Sequence, residues 1–224
     1  DNDPLNDCIE DCFGIWGGEN VLDDCGICAG NNDDIDCTGV CFGNSYEDDC
    51  GVCDDNSEND CILYDIELNG LDLISLHSMP SDNSVMGLFN SLIDYEPRIM
   101  SEAASASYIN DMWIGGLTSI SCADGFWIDI SQETTLSLNG SNSCGDKEFN
   151  LRDGNNLISY PFAGHAPIEQ TIPESAQHSI YGILGQESAA LNIGDGWVGG
   201  LMDLSGTEGY WFITNEEVSF TYNP

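Results

Sequence analysis

The chain has 224 residues and sets 3 Lys+Arg against 40 Asp+Glu, a formal net charge of −37. That balance excludes a nucleic-acid binder, because phosphate backbones need Lys and Arg to displace their counterions, and it argues against docking on an anionic membrane surface. An apolar fraction of 41% is that of an ordinary folding chain, the length suits one to three small domains, and no apolar run reaches the roughly 18 residues of a spanning helix. The chain starts at Asp1 with neither Met nor an apolar leader, which reads as a mature secreted form or an internal fragment.

The composition is uneven. Residues 1–61 hold 18 of the 40 acids and no Lys, Arg or His, while residues 62–224 hold the other 22. Nine of the eleven cysteines, Cys8, Cys12, Cys25, Cys28, Cys37, Cys41, Cys50, Cys53 and Cys61, fall in the same segment, leaving only Cys122 and Cys144 beyond it. A stretch this acidic and this poor in aliphatic residues cannot bury enough apolar surface to offset its chain entropy. Disulfides and cations are what can order it. All eleven cysteines are therefore disulfide candidates, and disulfides persist in oxidising space, so the chain is expected to be extracellular or on a cell surface.

Zinc is the alternative for the pairs Cys25-Gly-Ile-Cys28 and Cys50-Gly-Val-Cys53. The flanking Asp23-Asp24, Asp48-Asp49 and Asp54-Asp55 are oxygen donors that suit a harder cation. Redox catalysis ranks third, since nothing electropositive stands near to lower a thiol pKa.

The acidic segment repeats itself. Asp7-Cys8-x3-Cys12-Phe13-Gly14, then Asp23-Asp24-Cys25-Gly26-Ile27-Cys28, is followed by Asp36-Cys37-x3-Cys41-Phe42-Gly43, then Asp48-Asp49-Cys50-Gly51-Val52-Cys53, closing on Asp60-Cys61. Two units sharing a boundary cysteine form a linear stack and not a globule. These residues resemble the Cys/Asp-rich repeats of secreted bacterial surface proteins and, more distantly, thrombospondin type 3 repeats, although the regular Asp-x-Asp-x-Asp-Gly run is lacking. The resemblance implies a calcium-binding, disulfide-stapled rod. Independently, calcium takes six to eight oxygens, commonly carboxylates with Asn and backbone carbonyls, and several Ca2+ ions would relieve the repulsion among clustered acids. The candidate ligands are Asp7, Asp11, Asp23, Asp24, Asn31, Asp33, Asp34, Asp36, Asp48, Asp49, Asp54, Asp55, Asn56, Glu58 and Asp60. A solvated acidic tail would not carry nine cysteines, and a halophile's acidity would spread over the whole chain. Spacing does not reveal connectivity; pairing of neighbours (Cys12–Cys25, Cys28–Cys37, Cys41–Cys50, Cys53–Cys61) would leave Cys8 over, free to join another chain or a preceding segment.

A second repeat fills the remainder. Leu73-Ile74-Ser75 matches Leu157-Ile158-Ser159, Trp113-Ile114-Gly115-Gly116-Leu117 matches Trp197-Val198-Gly199-Gly200-Leu201, and Gly125-Phe126-Trp127-Ile128 matches Gly209-Tyr210-Trp211-Phe212, all at the constant offset of 84 that separates Trp113 from Trp197. Glu133 and Asn139 match Glu217 and Asn223. Strands are expected at 71–76, 109–114, 125–130 and 134–138 of the first copy, and at 156–160, 197–199, 209–214 and 218–222 of the second. A helix is expected over 85–93, capped by Ser84 or Asn83, and another over 174–184. The organisation read from this is an acidic calcium-binding segment (1–61), a β-rich domain (62–140), a polar linker (141–155) and a second β-rich domain (156–224). The fold class is mainly β with small α+β character: a disulfide- and Ca-stapled irregular N-terminal rod followed by two homologous β-rich domains. The Leu-Ile-Ser opening, central Trp and Gly-aromatic-Trp strand resemble a module common in secreted bacterial proteins, which implies an extracellular surface or structural setting and supplies no catalytic residue. Cys122 and Cys144 are expected to pair, adding roughly 3 kcal/mol by restricting the unfolded chain.

No nucleophile elbow, metalloprotease helix or phosphate loop occurs, and the chain is not expected to be an enzyme. His77, His165 and His178 read as lone surface residues. Trp113, Trp127, Trp197 and Trp211 can stack on sugars but recur inside apolar strands, which favours core packing. Asp111 and Asp195 precede matched tryptophans and read as turn residues before ion ligands. The expected function is a calcium-stabilised structural subunit of an extracellular assembly, a filament or surface layer, whose partner is itself as a homopolymer, joined through the N-terminal arm and β-domain edges. The alternative is an adhesion or glycan-binding region of a larger secreted protein, with other surface proteins or glycans as partners. A chain complete at this length would favour the first, a fragment the second.

Overall fold

Turns specified by Asp and Gly govern the acidic segment, whereas alternating apolar residues govern the rest. The computed structural model describes residues 9–48, 51–57, 61–141, 144–145 and 147–223. The chain divides into two units, Asp1–Asp60 and Cys61–Pro224.

In the first unit β1 (Tyr46–Glu47) pairs antiparallel with β2 (Cys53–Asp54), and isolated bridges join Glu10 to Trp16, Leu22 to Cys28 and Ile35 to Cys41. None of its described residues is buried. Cross-links replace a core: Cys12–Cys28, Cys25–Cys41 and Cys37–Cys53, each spanning a sequence separation of 16. All four expected neighbour pairs, Cys12–Cys25, Cys28–Cys37, Cys41–Cys50 and Cys53–Cys61, are therefore incorrect, since Cys12, Cys28, Cys41 and Cys53 are bonded elsewhere. Cys25 forms part of a hairpin turn while Cys28 stands on the returning arm opposite Leu22, and the first links forward to Cys41 as the second links back to Cys12. Closing a loop of this length is worth about 3 kcal/mol per bridge in the chain-entropy account. Cys61 is disulfide-bonded as well. Asp7, Cys8, Asp49, Cys50, Glu58 and Asp60 lie outside the described residues, and with them the question of an unpaired Cys8.

The second unit is mainly β. Its first half contains β3 (Cys61–Leu68), β4 (Leu71–Ser75), α1 (Val85–Phe89) running into a 3-10 turn (Asn90–Tyr95), β5 (Arg98–Met100), β6 (Ser105–Ile109), β7 (Met112–Gly115), β8 (Gly125–Asp129) and β9 (Thr134–Ser141). Its second half contains β10 (Glu148–Leu151), β11 (Gly154–Ser159), β12 (His165–Pro167), α2 (Ile168–Thr171), α3 (Glu174–Gln177), β13 (Ile180–Leu184), β14 (Ala189–Asn192), β15 (Trp197–Gly199), β16 (Asp203–Ser205), β17 (Gly209–Thr214) and β18 (Val218–Thr221). The five-stranded sheets run β4-β8-β5-β6-β7 and β11-β17-β13-β14-β15, and the pairs β3-β9 and β10-β18 flank them. Strand for strand the two orders are the same, so the sequence duplication is a duplication of fold.

Each half has its own core. Phe89, Leu92, Ile99, Phe126 and Ile128 anchor the first, and Phe149, Ile183, Tyr210, Phe212 and Tyr222 anchor the second. Ser84 caps α1 as expected, its hydroxyl accepting from the Gly87 amide at 2.9 Å.

Three expected elements are revised. The span 109–114 is not one strand but the hairpin β6–β7, turned by Asn110 and Asp111 at φ 51° and 61°, the two-residue type I′ geometry that suits the strand twist. The helix expected over 174–184 ends at Gln177, and Ile180–Leu184 is β13, held between β17 and β14 by ladder bonds that outweigh local propensity. The expected linker 141–155 contains β10, which pairs with β18 and buries Phe149 and Leu151 in the second core.

The halves meet through a reciprocal joint. Ile74 bridges Glu208 while Ile158 bridges Asp124. Ser75 N donates to Thr207 O at 3.2 Å, and Ser159 N to Ala123 O at 3.1 Å. Leu73 N donates to Gln186 Oε1 at 2.6 Å, and Leu157 N to Glu102 Oε2 at 3.0 Å. Each of these contacts recurs with the halves exchanged, the signature of an isologous, two-fold interface. The Leu-Ile-Ser and Gly-aromatic-Trp motifs thus build this joint. Cys122 and Cys144 form the expected disulfide.

Candidate functional site

Among its described residues the acidic arm carries four copies of one turn, half the length of the repeat read from the sequence. They begin at Asp11, Asp23, Asp36 and Asp48. In each, the Asp amide donates to the carbonyl four residues on (Ile15, Ile27, Val40, Val52), and the glycine three residues on (Gly14, Gly26, Gly39, Gly51) donates back to the Asp carbonyl. This is a three-residue hairpin with a bulge. Its glycine must be left-handed, as Gly39 is at φ 85°.

The Asp carboxylates close these turns. Asp11 Oδ1 accepts from the Phe13 and Ile15 amides at 3.0 and 2.9 Å, and its Oδ2 from Asn20 Nδ2 at 2.8 Å. Asp23 Oδ1 accepts from Cys25 and Ile27 at 3.0 and 2.8 Å, and its Oδ2 from the Asn32 amide at 3.2 Å. Asp36 Oδ1 accepts from the Thr38 and Val40 amides at 3.0 and 2.9 Å and from the Thr38 hydroxyl at 2.7 Å, and its Oδ2 from Ser45 at 3.3 Å. Asp48 Oδ1 accepts from Val52 at 2.8 Å. These bonds hold three carboxyls below the usual Asp value: Asp11 chiefly through Asn20, Asp23 chiefly through the Ile27 amide, Asp36 chiefly through Thr38.

The expected calcium ligands thus divide. Asp11, Asp23, Asp36 and Asp48 anchor turns. Asp24 exchanges two hydrogen bonds with Asn32, at 2.9 and 3.0 Å, and Asp54 accepts from the Asn56 amide at 2.8 Å. Asn31, Asp33, Asp34 and Asp55 are exposed. Among the described residues, no three His, Cys, Asp or Glu side chains are grouped as they would be round a metal ion. The donor set is all oxygen, as calcium requires, and its described members are not brought together in threes.

In the second unit His77 is not a surface residue. It is 7% exposed, lies against the Tyr64 ring with centroids 4.1 Å apart, and burial depresses its pKa. His165 and His178 are exposed, and His178 Nε2 is 3.8 Å from Glu216. Burial raises Tyr64 and Tyr210 far above the ordinary phenol value. Trp113 and Trp197 pack on the cores as expected, whereas Trp127 and Trp211 alternate with the core residues of β8 and β17 and are half-buried on the opposite face, paired with Leu73 and Leu157.

Two further features were not read from the sequence. A cleft of about 410 Å³ beside the joint is lined by Asp65, Glu67, Asp72, Glu187 and Glu208 with Gln186. An open groove of about 840 Å³ is lined by Glu96, Arg98, Ser107, Tyr108, Ile109, Asn110 and Asp111. The cleft gathers residues distant in sequence, whereas the groove is formed within one stretch, 96–111; only the 84-residue offset could have brought Gln186 beside Leu73, as the counterpart of Glu102 beside Leu157. No described helix is long and apolar enough to cross a membrane. No protein-family model matches the chain, and neither a curated protein nor a solved structure matches it.

Proposed function

We propose that the chain is a structural subunit of an extracellular assembly, a filament or surface layer, whose copies join through the N-terminal arm and the edges of the β-domains. One observation carries the reading. The arm buries none of its described residues, yet interlaced disulfides cross-link its successive turns, and Ile15, Ile27, Val40 and Val52, one per turn, stand 57%, 38%, 56% and 45% exposed. Cross-linked turns that each present an exposed apolar side chain at the same position have no core of their own to serve and suit contact with a neighbour. The sheet-edge strands β7 and β15 support joining by strand addition. The bridges fit an oxidising compartment, and the extracellular placement rests on them.

Calcium belongs to this proposal as the counter-ion of the arm. Eighteen acids without one Lys, Arg or His in residues 1–61 support it, with the exposed Asn31, Asp33, Asp34 and Asp55 as the donors not engaged in closing turns. No catalytic role is proposed. Electron microscopy of native material before and after chelation tests the assembly: ordered particles that lose order support it, and isolated monomers at all concentrations oppose it.

A second reading, a glycan-binding adhesion region, is favoured by the polar groove around Arg98, Glu96 and Asn110. Binding on an immobilised glycan panel, lost on Arg98→Ala, distinguishes it.

A further inference from the structure

The two five-stranded sheets share a fold and differ in the chemistry of their outer faces. In the first half, the register aligns Asp129, Arg98, Ser107 and Ile114 across β8, β5, β6 and β7. At the same places in the second half stand Ile213, Gly182, Leu191 and Val198, aligned across β17, β13, β14 and β15. Leu184, Leu191 and Val198 are 38%, 42% and 45% exposed, with Ile193 at 63% beside them. None of the five strands of this second sheet contains an Asp, Glu, Lys, Arg or His, in a chain that is 19% charged. Both halves expose apolar residues at the sheet edge, Ile109 and Ile114 at 49% and 51% in the first, but the first carries Asp129, Arg98 and Ser107 where the second has Ile213, Gly182 and Leu191, so an uncharged row reaching inward from the edge is not a requirement of folding.

We propose that this face is the contact for a second copy of the same chain, placed face to face about a two-fold axis. Two observations select that occupant. A chain of net charge −37 repels its own copies everywhere that carboxylates would meet, and this sheet face presents none. The face also continues an interface the molecule already uses between its halves: Trp211, next but one to Ile213, pairs with Leu157, and Leu157 Cδ1 lies 3.0 Å from where a Cβ on Gly125 would stand. A surface that already packs against a homologous β-domain extends outward into an uncovered row of the same character, and an isologous contact needs a single self-complementary patch. The proposal does not rest on the arm: a chain that forms no filament can still dimerise here.

Sedimentation velocity of the full chain at low and high sodium chloride is the test. The expected result is a monomer–dimer equilibrium that tightens with salt, because added ions screen the net repulsion while leaving apolar contact intact. Leu191→Glu should abolish the dimer, and Leu191→Ser, which copies the residue of the first half and so preserves the fold, should weaken it about tenfold. Ser107→Glu, at the matching place of the first half, should leave it unchanged. A chain that stays monomeric at every salt concentration, or a dimer indifferent to Leu191→Glu and Leu191→Ser, overturns the proposal. Dimer loss with any native filaments intact separates this face from the arm's contacts.

Discussion

Gly125 and Gly209 meet at the joint between the two halves: a Cβ on Gly209 would lie 3.3 Å from Gly125 Cα and 2.7 Å from Ile74 O, and one on Gly125 would lie 2.6 Å from Ile158 O. The positions match at the 84-residue offset, so the same close approach is required twice. Gly209→Ala and Gly125→Ala should each cost about 1–3 kcal/mol, because backbone and not a flexible side chain stands in the way. Urea denaturation measures the loss, and an unchanged midpoint in both variants would refute the joint as described.

The turn anchors predict an acid transition in the arm. Asp11, Asp23 and Asp36 titrate below the ordinary 3.8 in the folded arm. A depressed carboxyl stabilises the folded form above its unfolded pKa, and the contribution disappears as pH falls through the folded value. The protection of the Ile15, Ile27 and Val40 amides, relative to unstructured chain at the same pH, should therefore be high at neutral pH and fall below pH 3.8. Asp36→Ala should lower the protection of Val40 at neutral pH and leave that of Ile15 unaffected.

His77 gives the second unit a different pH signature. Its burial lowers the folded pKa below 6.5, so the proton binds the unfolded chain more readily. Stability is full above 6.5 and declines as pH drops from there to the folded value. His77→Phe should flatten that decline, which thermal melts between pH 7 and 5 would reveal.

Trp113 and Trp197 are duplicates with unequal partners. Trp197 Nε1 donates to Gln177 Oε1 at 3.4 Å, whereas Trp113 Nε1 is buried without a hydrogen-bond partner. The position matching Gln177 is Ile93. Ile93→Gln should stabilise by about 0.5–1.5 kcal/mol if the amide reaches the indole, and indole N–H exchange should slow. Gln177→Leu should destabilise by a similar amount.

Peptide mapping without reduction should recover Cys12–Cys28, Cys25–Cys41, Cys37–Cys53 and Cys122–Cys144. Fragments joining Cys12 to Cys25 would contradict the ladder.

The sequence by itself determined the split at the end of the acidic segment, the two repeats and their offset, the pairing of Cys122 with Cys144, and strands such as β15 and β17, because composition, spacing and alternation are local and survive without a fold. Tertiary structure alone decided the rest. β10 alternates polar and apolar residues but over four positions only, β13 shows no clean alternation, and both are fixed by their ladders with β18 and β17. The interlaced disulfides depend on which way Cys25 and Cys28 point from one hairpin, which no spacing encodes. The carboxylates read as metal donors became turn anchors in four cases, since a side chain that can accept from the amides two and four residues on satisfies them at once, before any distant partner is in place. The uncharged outer face of the second sheet is likewise a property of register: Ile213, Gly182, Leu191 and Val198 come from four strands, and only hydrogen bonding between those strands sets them in one row.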